Sequence, residues 1–478
     1  MSRFGRRKFL SYGAAAAGGS LLLKSCAPDL TALDQPIDEA FDTSSDISSE
    51  AAATGGSEQA QAVSDTDAVS SPGEATSANT AAVPANEIKV GLLHSLSGML
   101  AMTEAPLVEA EKLAIEDINA SGGLLGRQIV PVVEDGASDW PTFAEKAEKL
   151  LSQRQVDVIF GGFTSASRKA ILPVITAKHR LLWYPGTYEG QACSQNVFYG
   201  GAIANQQVEP AIEWMLANRG KSFFLISAND RVTHEIAKSV LKDKGGKVAG
   251  EAFVPIENGS NIDLAPVVND IKQALPEGGV ILSSLVGTQN RVFFKQLRSA
   301  GLSRYKYLVM SLRVSEGEVA QIGKSFAQGH YAAWPYFQTI KTPDNEKWVE
   351  RFKGKYGVDR VVGAPVEVAY SMVQLWAQAV RQAESLDTSA VRAAAYGQTY
   401  QAPGGPMTMN TNHHVTRKSY IGQVREDGLF DIMWGAKEAI APTPWNKRLS
   451  GSQTLGCDWS DSAKGEQFQK VNSSSLES

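Results

Sequence analysis

Short polar stretches that follow apolar runs contain the residues of this sequence best suited to binding chemistry. They are rich in Ser, Thr, Gly and Tyr, whose hydroxyl and backbone groups donate and accept hydrogen bonds. The stretches are HSLSG (94–98), GGFTSAS (161–167), YPGTYEG (184–190), SANDRVT (227–233), SLVGTQN (284–290) and SLRVSEG (311–317). This composition suits hydrogen bonding to a small polar molecule, although Ser and Thr at such positions also serve as ordinary helix N-caps.

One arginine occupies a position where ligand groups are common. Arg231 follows Asp230 at the point where an apolar strand gives way to a helix. A buried, unpaired guanidinium is costly, so an Arg231 that faces a ligand must pair with an acidic group of that ligand or with a protein carboxylate. The alternatives are that Arg231 points to solvent, or that it pairs with Asp230 or Glu235.

The sequence beyond the N-terminal region shows no motif that is typical of catalysis or of nucleic-acid binding. Beyond the N-terminal region the sequence has no G-x-S-x-G, Walker A, G-x-G-x-x-G or H-E-x-x-H stretch. The six histidines are scattered apart from His413 and His414, and an adjacent pair is more often a loop feature than a metal site. The net charge is −5 and no basic run occurs, which argues against nucleic acid as a partner. We therefore expect no enzyme activity, no cofactor and no metal.

The elements that position these polar stretches alternate between strands and helices from Glu87 onward. Apolar residues recur at helical spacing after the first strand, as in Leu107, Ala110, Ala114 and Ile118. The strands are apolar throughout, which is typical of parallel sheets covered by helices on both faces. The alternation restarts after residue 205. The sequence therefore predicts an α/β fold with two lobes, whose polar loops meet in a cleft beyond the carboxyl ends of the strands.

The N-terminal region predicts export. Arg6 and Arg7 precede an Ala-, Gly- and Leu-rich stretch, which is typical of a twin-arginine signal. LKSC (23–26) has the form of a lipoprotein cleavage box, in which Cys26 would be acylated. Lys24 is unusual in such a box, so a soluble export signal and an uncleaved anchor are alternatives. We assign residues 1–26 to the signal.

Residues 27–86 predict a disordered tether. They are dominated by Ala, Ser, Thr, Gly, Asp and Glu and contain one aromatic residue, Phe41. Such a composition cannot bury enough apolar surface to offset chain entropy.

Longer stretches of the sequence resemble a known family. They are HSLSG, EDGASDWPTFAEKAEKLL, TSASRKA, LLWYPGTYEG, NQQVEPAIEWML, VFFKQLRSAGL, GHYAAWPYF, NHHVTRKSYIGQVREDGLF and PWNKRLSGSQTLGCDWSD. Together they resemble the solute-binding proteins of urea-type ABC transporters, within the branched-chain amino acid and amide binding family. The resemblance covers residues 88–460. It implies a type I periplasmic binding protein, with two lobes, three crossings between them and the ligand at the hinge cleft.

The resemblance also implies domain boundaries and a disulfide. Lobe 1 is expected at 88–206 plus 330–395, and lobe 2 at 207–329 plus 396–440. Residues 441–478 are expected to form a C-terminal extension, packed back by a disulfide and disordered at its end. Composition alone leaves Cys193 and Cys457 either as a disulfide or as two unrelated buried thiols, and the resemblance favours the disulfide between them.

The residues that the resemblance places at the ligand are Ser97, Thr164, Ser165, Tyr184, Gly186, Thr187, Tyr188, Asp230, Arg231 and Thr288. Thr164 and Ser165 begin a helix whose amides and hydroxyls can donate to a ligand oxygen. In the first lobe, Gly186 and Thr187 replace bulkier residues of the urea pattern and Phe163 replaces its tryptophan. The second lobe departs from that pattern at two places. Arg231 stands where relatives have a tyrosine, and Val286, Gly287 and Thr288 stand where they have Asn-Gly-Asp.

The expected function is capture of a small polar solute. By resemblance, the protein binds urea or a short-chain amide by lobe closure and delivers it to a membrane permease, from a periplasmic site anchored through Cys26. Urea needs hydrogen-bond acceptors, and Thr288 removes one while Arg231 adds a cation. The alternative ligand is therefore a small amino acid or carboxylate, and the alternative role is ligand sensing.

Overall fold

The structure is a computed structural model that describes residues 87–256 and 262–460. The predicted signal 1–26, the lipidation site Cys26, the tether 27–86 and the end of the C-terminal extension lie outside the described residues. No helix within the described residues is long and apolar enough to cross a membrane.

The first lobe is built on a sheet of five parallel strands in the order β2-β1-β3-β4-β5. Its elements are β1 (Glu87–His94), α1 (Ala101–Ala120), β2 (Gln128–Asp135), α2 (Trp140–Glu148), β3 (Val158–Gly161), α3 (Ser165–Ala177), β4 (Leu182–Tyr184) and β5 (Val197–Tyr199). Successive side chains of a strand point to opposite faces. Accordingly Leu92 and Leu93 are both fully buried but belong to two separate apolar clusters, one with α1 and the other with α2 and α3.

The second lobe is built on a mixed sheet of seven strands. Its order is β15-β14-β10-β9-β8-β6-β7. The elements up to β10 are α4 (Val208–Asn218), β6 (Ser222–Ser227), α5 (Arg231–Lys244), β7 (Lys247–Phe253), α6 (Ala265–Ala274), β8 (Gly279–Ser284), α7 (Thr288–Ser299), β9 (Tyr307–Ser311), α8 (Glu316–Ile322), α9 (Lys324–Ala327) and β10 (Tyr331–Trp334). Strands β6 to β10 are parallel, as predicted.

The rest of the described chain returns to both lobes. Its elements are α10 (Pro343–Tyr356), α11 (Ala364–Ala383), α12 (Thr388–Ala395), β11 (Thr399–Ala402), β12 (Gly405–Met409), β13 (Val415–Thr416), β14 (Tyr420–Val424) and β15 (Phe430–Gly435). Helix α11 packs along α1 of the first lobe. Strands β14 and β15 pair antiparallel at the edge of the second sheet, so that sheet is not wholly parallel.

The lobe boundaries lie differently from those predicted. Residues 330–395 were expected in lobe 1, but β10 pairs with β9 and β14 and therefore belongs to the second sheet. Residues 396–440 were expected in lobe 2, but β11 to β13 form a small antiparallel sheet that contacts α11 and is bridged to the first sheet between Tyr199 and His414. Backbone pairing between distant segments decides both placements.

The C-terminal extension is bonded to the first lobe and contacts the second. Cys193 and Cys457 form the predicted disulfide, with Sγ atoms 1.96 Å apart. The backbone N–H of Gln191 donates to the carbonyl oxygen of Pro444 at 2.7 Å. On the second lobe, Arg448 contacts Glu209 of α4 at 3.3 Å.

Candidate functional site

A cavity of about 680 Å³ lies where loops of both lobes meet. Its first-lobe wall consists of Trp140, Phe163, Thr164, Ser165, Ala166, Lys169, Thr187 and Glu189. Its second-lobe wall consists of Ala228, Asn229, Asp230, Arg231, Val232, Pro255, Ile256, Ser284, Val286 and Arg313. These residues follow the carboxyl ends of β2, β3, β4, β6, β7, β8 and β9. The cavity therefore occupies the position where open α/β sheets bind ligands.

Helix α3 begins at the cavity. Thr164 is its N-cap, and the Thr164 Oγ1 accepts a hydrogen bond from the Ser167 N–H at 3.1 Å. The Ser165 hydroxyl donates to Glu189 Oε2 at 2.7 Å, which ties the loop after β4 to the start of the helix. Because the amides and the dipole at a helix N-terminus favour negative charge, this wall suits an anionic group of a ligand.

Asp230 caps helix α5 on the facing wall. Its carboxylate accepts hydrogen bonds from the Thr233 N–H at 2.9 Å and from the Thr233 hydroxyl. The pKa of Asp230 is raised from 3.8 to about 6, chiefly by burial and then by the neighbouring charge of Glu189, against the lowering effects of Thr233 and Arg313. Two carboxylates thus act on each other across the cavity, and a cationic group of a ligand would relieve their repulsion.

Arg313 is a site residue that sequence reasoning missed. Its Nη1 donates to Gln207 Oε1 at 3.2 Å and to the carbonyl oxygen of Leu312 at 2.9 Å. Burial lowers the pKa of the guanidinium, and the charges of Asp230 and Glu189 oppose that shift. A signal existed, because Arg313 follows β9 in one of the polar stretches just as Arg231 follows β6. Glu189, Lys169 and Trp140 also line the cavity and were not predicted.

Arg231 lines the cavity from its exposed rim. Its guanidinium carbon lies 4.6 Å from the ring centroid of Phe253, a cation–π arrangement. Neither of the two carboxylates considered above forms an ion pair with Arg231, since Asp230 caps α5 and Glu235 pairs with Lys238 at 3.0 Å. Among the described residues no ion pair involves Arg231. Arg231 therefore does not form the ion pair with a protein carboxylate that we considered, and its guanidinium is exposed to solvent.

Two predicted site residues, Ser97 and Thr288, do not line the cavity. The Ser97 hydroxyl donates to Asp135 Oδ2 at 2.7 Å, and the side chain is exposed. Thr288 is the first residue of α7, and the loop before it presents Ser284 and Val286 to the cavity instead. In each loop a neighbouring residue, Met99 or Val286, contacts the opposite lobe instead.

The predicted Tyr184, Gly186 and Tyr188 lie behind the first-lobe wall. The Tyr184 hydroxyl donates to the carbonyl oxygen of Phe163 at 2.6 Å, and the Tyr188 hydroxyl lies 2.6 Å from His414 Nε2. A Cβ at Gly186 would lie 2.3 Å from that same Phe163 oxygen. These residues are buried and hold the loop in place. Thr187 and Glu189, which lie between and beside them, face the cavity.

The adjacent histidines are structural. Burial lowers the pKa of both His413 and His414 to about 3, so both rings are neutral. His414 stacks on Tyr199 with ring centroids 4.2 Å apart, and His413 stacks on Phe198 at the same distance. No group of three or more His, Cys, Asp or Glu residues that could hold a metal ion occurs in the part of the chain that the structure describes.

Two curated relatives differ widely in how much of the chain they cover. Leu/Ile/Val-binding protein homolog 7 of Brucella melitensis biotype 1 is 24% identical over 389 residues, or 75% of this chain and 94% of that protein. A protein named limonene hydroxylase from Geobacillus stearothermophilus is 34% identical over 123 residues, or 26% of this chain. Because the latter match spans 26% of this chain and only 23% of that protein, it shows similarity over one segment alone.

Solved structures share the fold at low identity. A solute-binding protein of an ABC transporter from Rhodopseudomonas palustris BisB5, in complex with 3,4-dihydroxybenzoic acid, has a TM-score of 0.66 and 20% identity, covering 74% of this chain and 99% of its own. The branched-chain amino acid transporter substrate-binding protein of Streptococcus pneumoniae, in complex with isoleucine, has a TM-score of 0.63 and 18% identity, covering 74% and 100%.

The family model for the periplasmic binding protein domain matches residues 88–451 of this chain. Apart from Glu87 at the start of β1, that range contains the five-stranded and the seven-stranded sheet and every residue that lines the cavity. The chain is therefore a member of the periplasmic binding protein family, with the two-lobed α/β fold of its solved relatives.

Proposed function

We propose that this protein is the periplasmic substrate-binding component of an ABC transporter, which captures a small polar solute by lobe closure and delivers it to a membrane permease. The observation that carries the proposal is the cavity between the lobes, whose walls come from the post-strand loops of both. Bonds from two lobes to one solute favour the closed state, which a permease can recognise. We further propose that acylated Cys26 attaches the protein to the membrane.

The charges in the cavity favour a solute with both an acidic and a cationic group. Glu189 and Asp230 supply negative charge, whereas Arg313 and the start of α3 supply positive charge. An amino acid satisfies both sets with its carboxylate and its ammonium group. Size points the same way, since urea has four heavy atoms and a cavity of about 680 Å³ falls in the range that holds much larger ligands.

Urea or a short-chain amide is the second candidate, and it rests on the same two carboxylates. The Glu189 and Asp230 oxygens are acceptors for the N–H groups of a neutral amide. The predicted loss of an acceptor at Thr288 does not weigh against urea, because Thr288 lies outside the cavity wall. A neutral amide offers no carboxylate to Arg313 or to the start of α3, which is why we rank it second.

A thermal-shift screen followed by calorimetry tests the proposal. The panel holds urea, acetamide, the natural amino acids and small carboxylates, including hydroxybenzoates. We expect at least one amino acid to raise the melting temperature and to be recovered unchanged. Stabilisation by urea or acetamide alone would make the second candidate correct, chemical turnover of any panel member would point to an enzyme, and no stabilisation at all would contradict solute capture.

The affinity for an ammonium-bearing solute is expected to fall as the pH drops through about 6. Above that pH Asp230 is ionised and attracts the ammonium group, whereas below it the carboxyl is neutral. Titration calorimetry at several pH values between about 5 and 8 measures the effect. In Asp230→Asn the pH dependence should disappear, because the amide oxygen still caps α5 but no longer titrates. Equal pH profiles for the two proteins would contradict the assignment.

A further inference from the structure

An apolar contact joins the lobes beside the cavity. Met99 and Leu100, which precede α1 in the first lobe, form one buried cluster with Ala228 and Val286 of the second lobe. All four residues are less than 10% exposed, and Ala228 and Val286 also line the cavity. We call these four residues the lip. Opening the cleft at this point would return their apolar surface to water, which is unfavourable.

Gly287 lets the two lobes approach at the lip. It precedes α7 and has a φ of +52°, a conformation that favours glycine. A Cβ at this position would lie 2.4 Å from the carbonyl oxygen of Met99 and 3.2 Å from Leu100 Cδ2. The first distance is too short for any real contact, so a side chain here would push Met99 and Gly287 apart.

Two hydrogen bonds extend the contact along α1 and α8. The Thr103 hydroxyl donates to Glu318 Oε1 at 2.9 Å, and both residues are buried. The Gln321 side-chain amide donates to the carbonyl oxygen of Met102 at 3.1 Å. Within the first lobe, the Leu100 N–H donates to the Ser138 hydroxyl at 3.1 Å. The start of α1 is thus fixed to the first lobe and docked on the second.

We propose that the lip is a latch between the lobes, and that Gly287 determines solute affinity without contacting the solute. The latch stabilises the arrangement in which both walls of the cavity face each other. The apparent affinity is proportional to the fraction of the protein in that arrangement. A variant that lowers this fraction therefore lowers the apparent affinity by the same factor. The affinity part rests on the proposed function, whereas the contact itself is a property of the solute-free protein.

The test compares Gly287→Ala with Gly301→Ala. Gly301 lies just beyond the other end of α7, has a φ of +74°, and a Cβ there would meet no atom within 4 Å. Both variants therefore strain the backbone, but only Gly287→Ala pushes on the opposite lobe. In solute-free protein we expect Gly287→Ala to raise the radius of gyration in X-ray scattering and to speed hydrogen exchange in a peptide covering residues 99–104. Gly301→Ala should match the wild type in both.

Calorimetry with isoleucine and urea as probes measures the consequence for affinity. For whichever probe the wild type binds, we expect Gly287→Ala to bind about tenfold more weakly or worse, and Gly301→Ala to bind normally. If the wild type binds neither probe, the proposed function fails for these solutes, while scattering and exchange still decide the latch.

Unchanged scattering and exchange in Gly287→Ala would overturn the latch. If Gly287→Ala does not fold, Thr103→Val provides the second variant, because it removes the hydroxyl that donates to Glu318 and keeps the shape of the side chain. We expect Thr103→Val to shift exchange at residues 99–104 in the same direction by a smaller amount, and a Thr103→Val protein identical to the wild type would then overturn the proposal.

Discussion

Arg313→Met is expected to weaken binding of an amino acid or carboxylate by about 30-fold or more, because removing one partner of a desolvated charge pair costs about 2 to 5 kcal/mol. The guanidinium lies in the cavity wall beside Asp230 and Glu189, and its loss leaves the ligand carboxylate without a cationic partner. The substitution also removes the charge that lowers the pKa of Asp230, so a smaller fraction of Asp230 is ionised at neutral pH. Titration calorimetry gives the affinity ratio.

The matched control is Arg231→Met on the same cavity. Arg231 is exposed and lies over Phe253, so its charge is screened by water and its removal should change the affinity by about threefold or less. A larger loss in Arg231→Met than in Arg313→Met would reverse the assignment and restore Arg231 as the anion-binding residue. If the wild type and both variants bind urea equally well, neither arginine pairs with the solute, which would favour a solute without an acidic group.

Arg417→Met is expected to lower the free energy of unfolding by about 3 to 5 kcal/mol, since it leaves a buried carboxylate uncompensated. Arg417 Nη2 lies 2.9 Å from Glu367 Oε2, and the two side chains are 2% and 0% exposed. Glu367 belongs to α11 of the first lobe, and Arg417 lies between β13 and β14, where the chain passes to the second lobe. The pair therefore ties this passage to the first lobe. Guanidinium denaturation measures the loss.

The double variant Glu367→Gln with Arg417→Met separates a broken pair from a general packing defect. It removes both charges, so we expect it to recover much of the stability lost in Arg417→Met. Arg425→Met is the surface control, because Arg425 pairs with Asp427 at a partly exposed site and its loss should cost less than about 1 kcal/mol. A double variant as unstable as Arg417→Met alone would mean that the guanidinium acts through packing rather than charge.

Local patterns predicted the elements well because each is encoded by neighbouring residues. The start of α2 is an example, because Asp139 caps the helix by accepting from the Thr142 N–H at 3.0 Å and Pro141 lies in its first turn. Of the six polar stretches predicted after strands, five contribute residues to the cavity wall, whereas HSLSG does not and the loops after β2 and β7 complete the wall. The pairing of β10 was not predictable, since its partners β9 and β14 are specified by packing of distant segments.

The sequence by itself determined the two-lobed α/β scheme and five of the loops that form the cavity, because strand ends and helix starts depend on local periodicity and capping. Only the tertiary structure decided which side chain of each loop faces the cavity. Tyr188 is turned inward because its ring stacks on His414, 226 residues away, and its hydroxyl is hydrogen-bonded to the same histidine. The adjacent Glu189 therefore faces the cavity. The same holds for the arginines. Arg231 and Arg313 follow strands in the same way, but Phe253 holds the first at the rim and Gln207 holds the second in the wall.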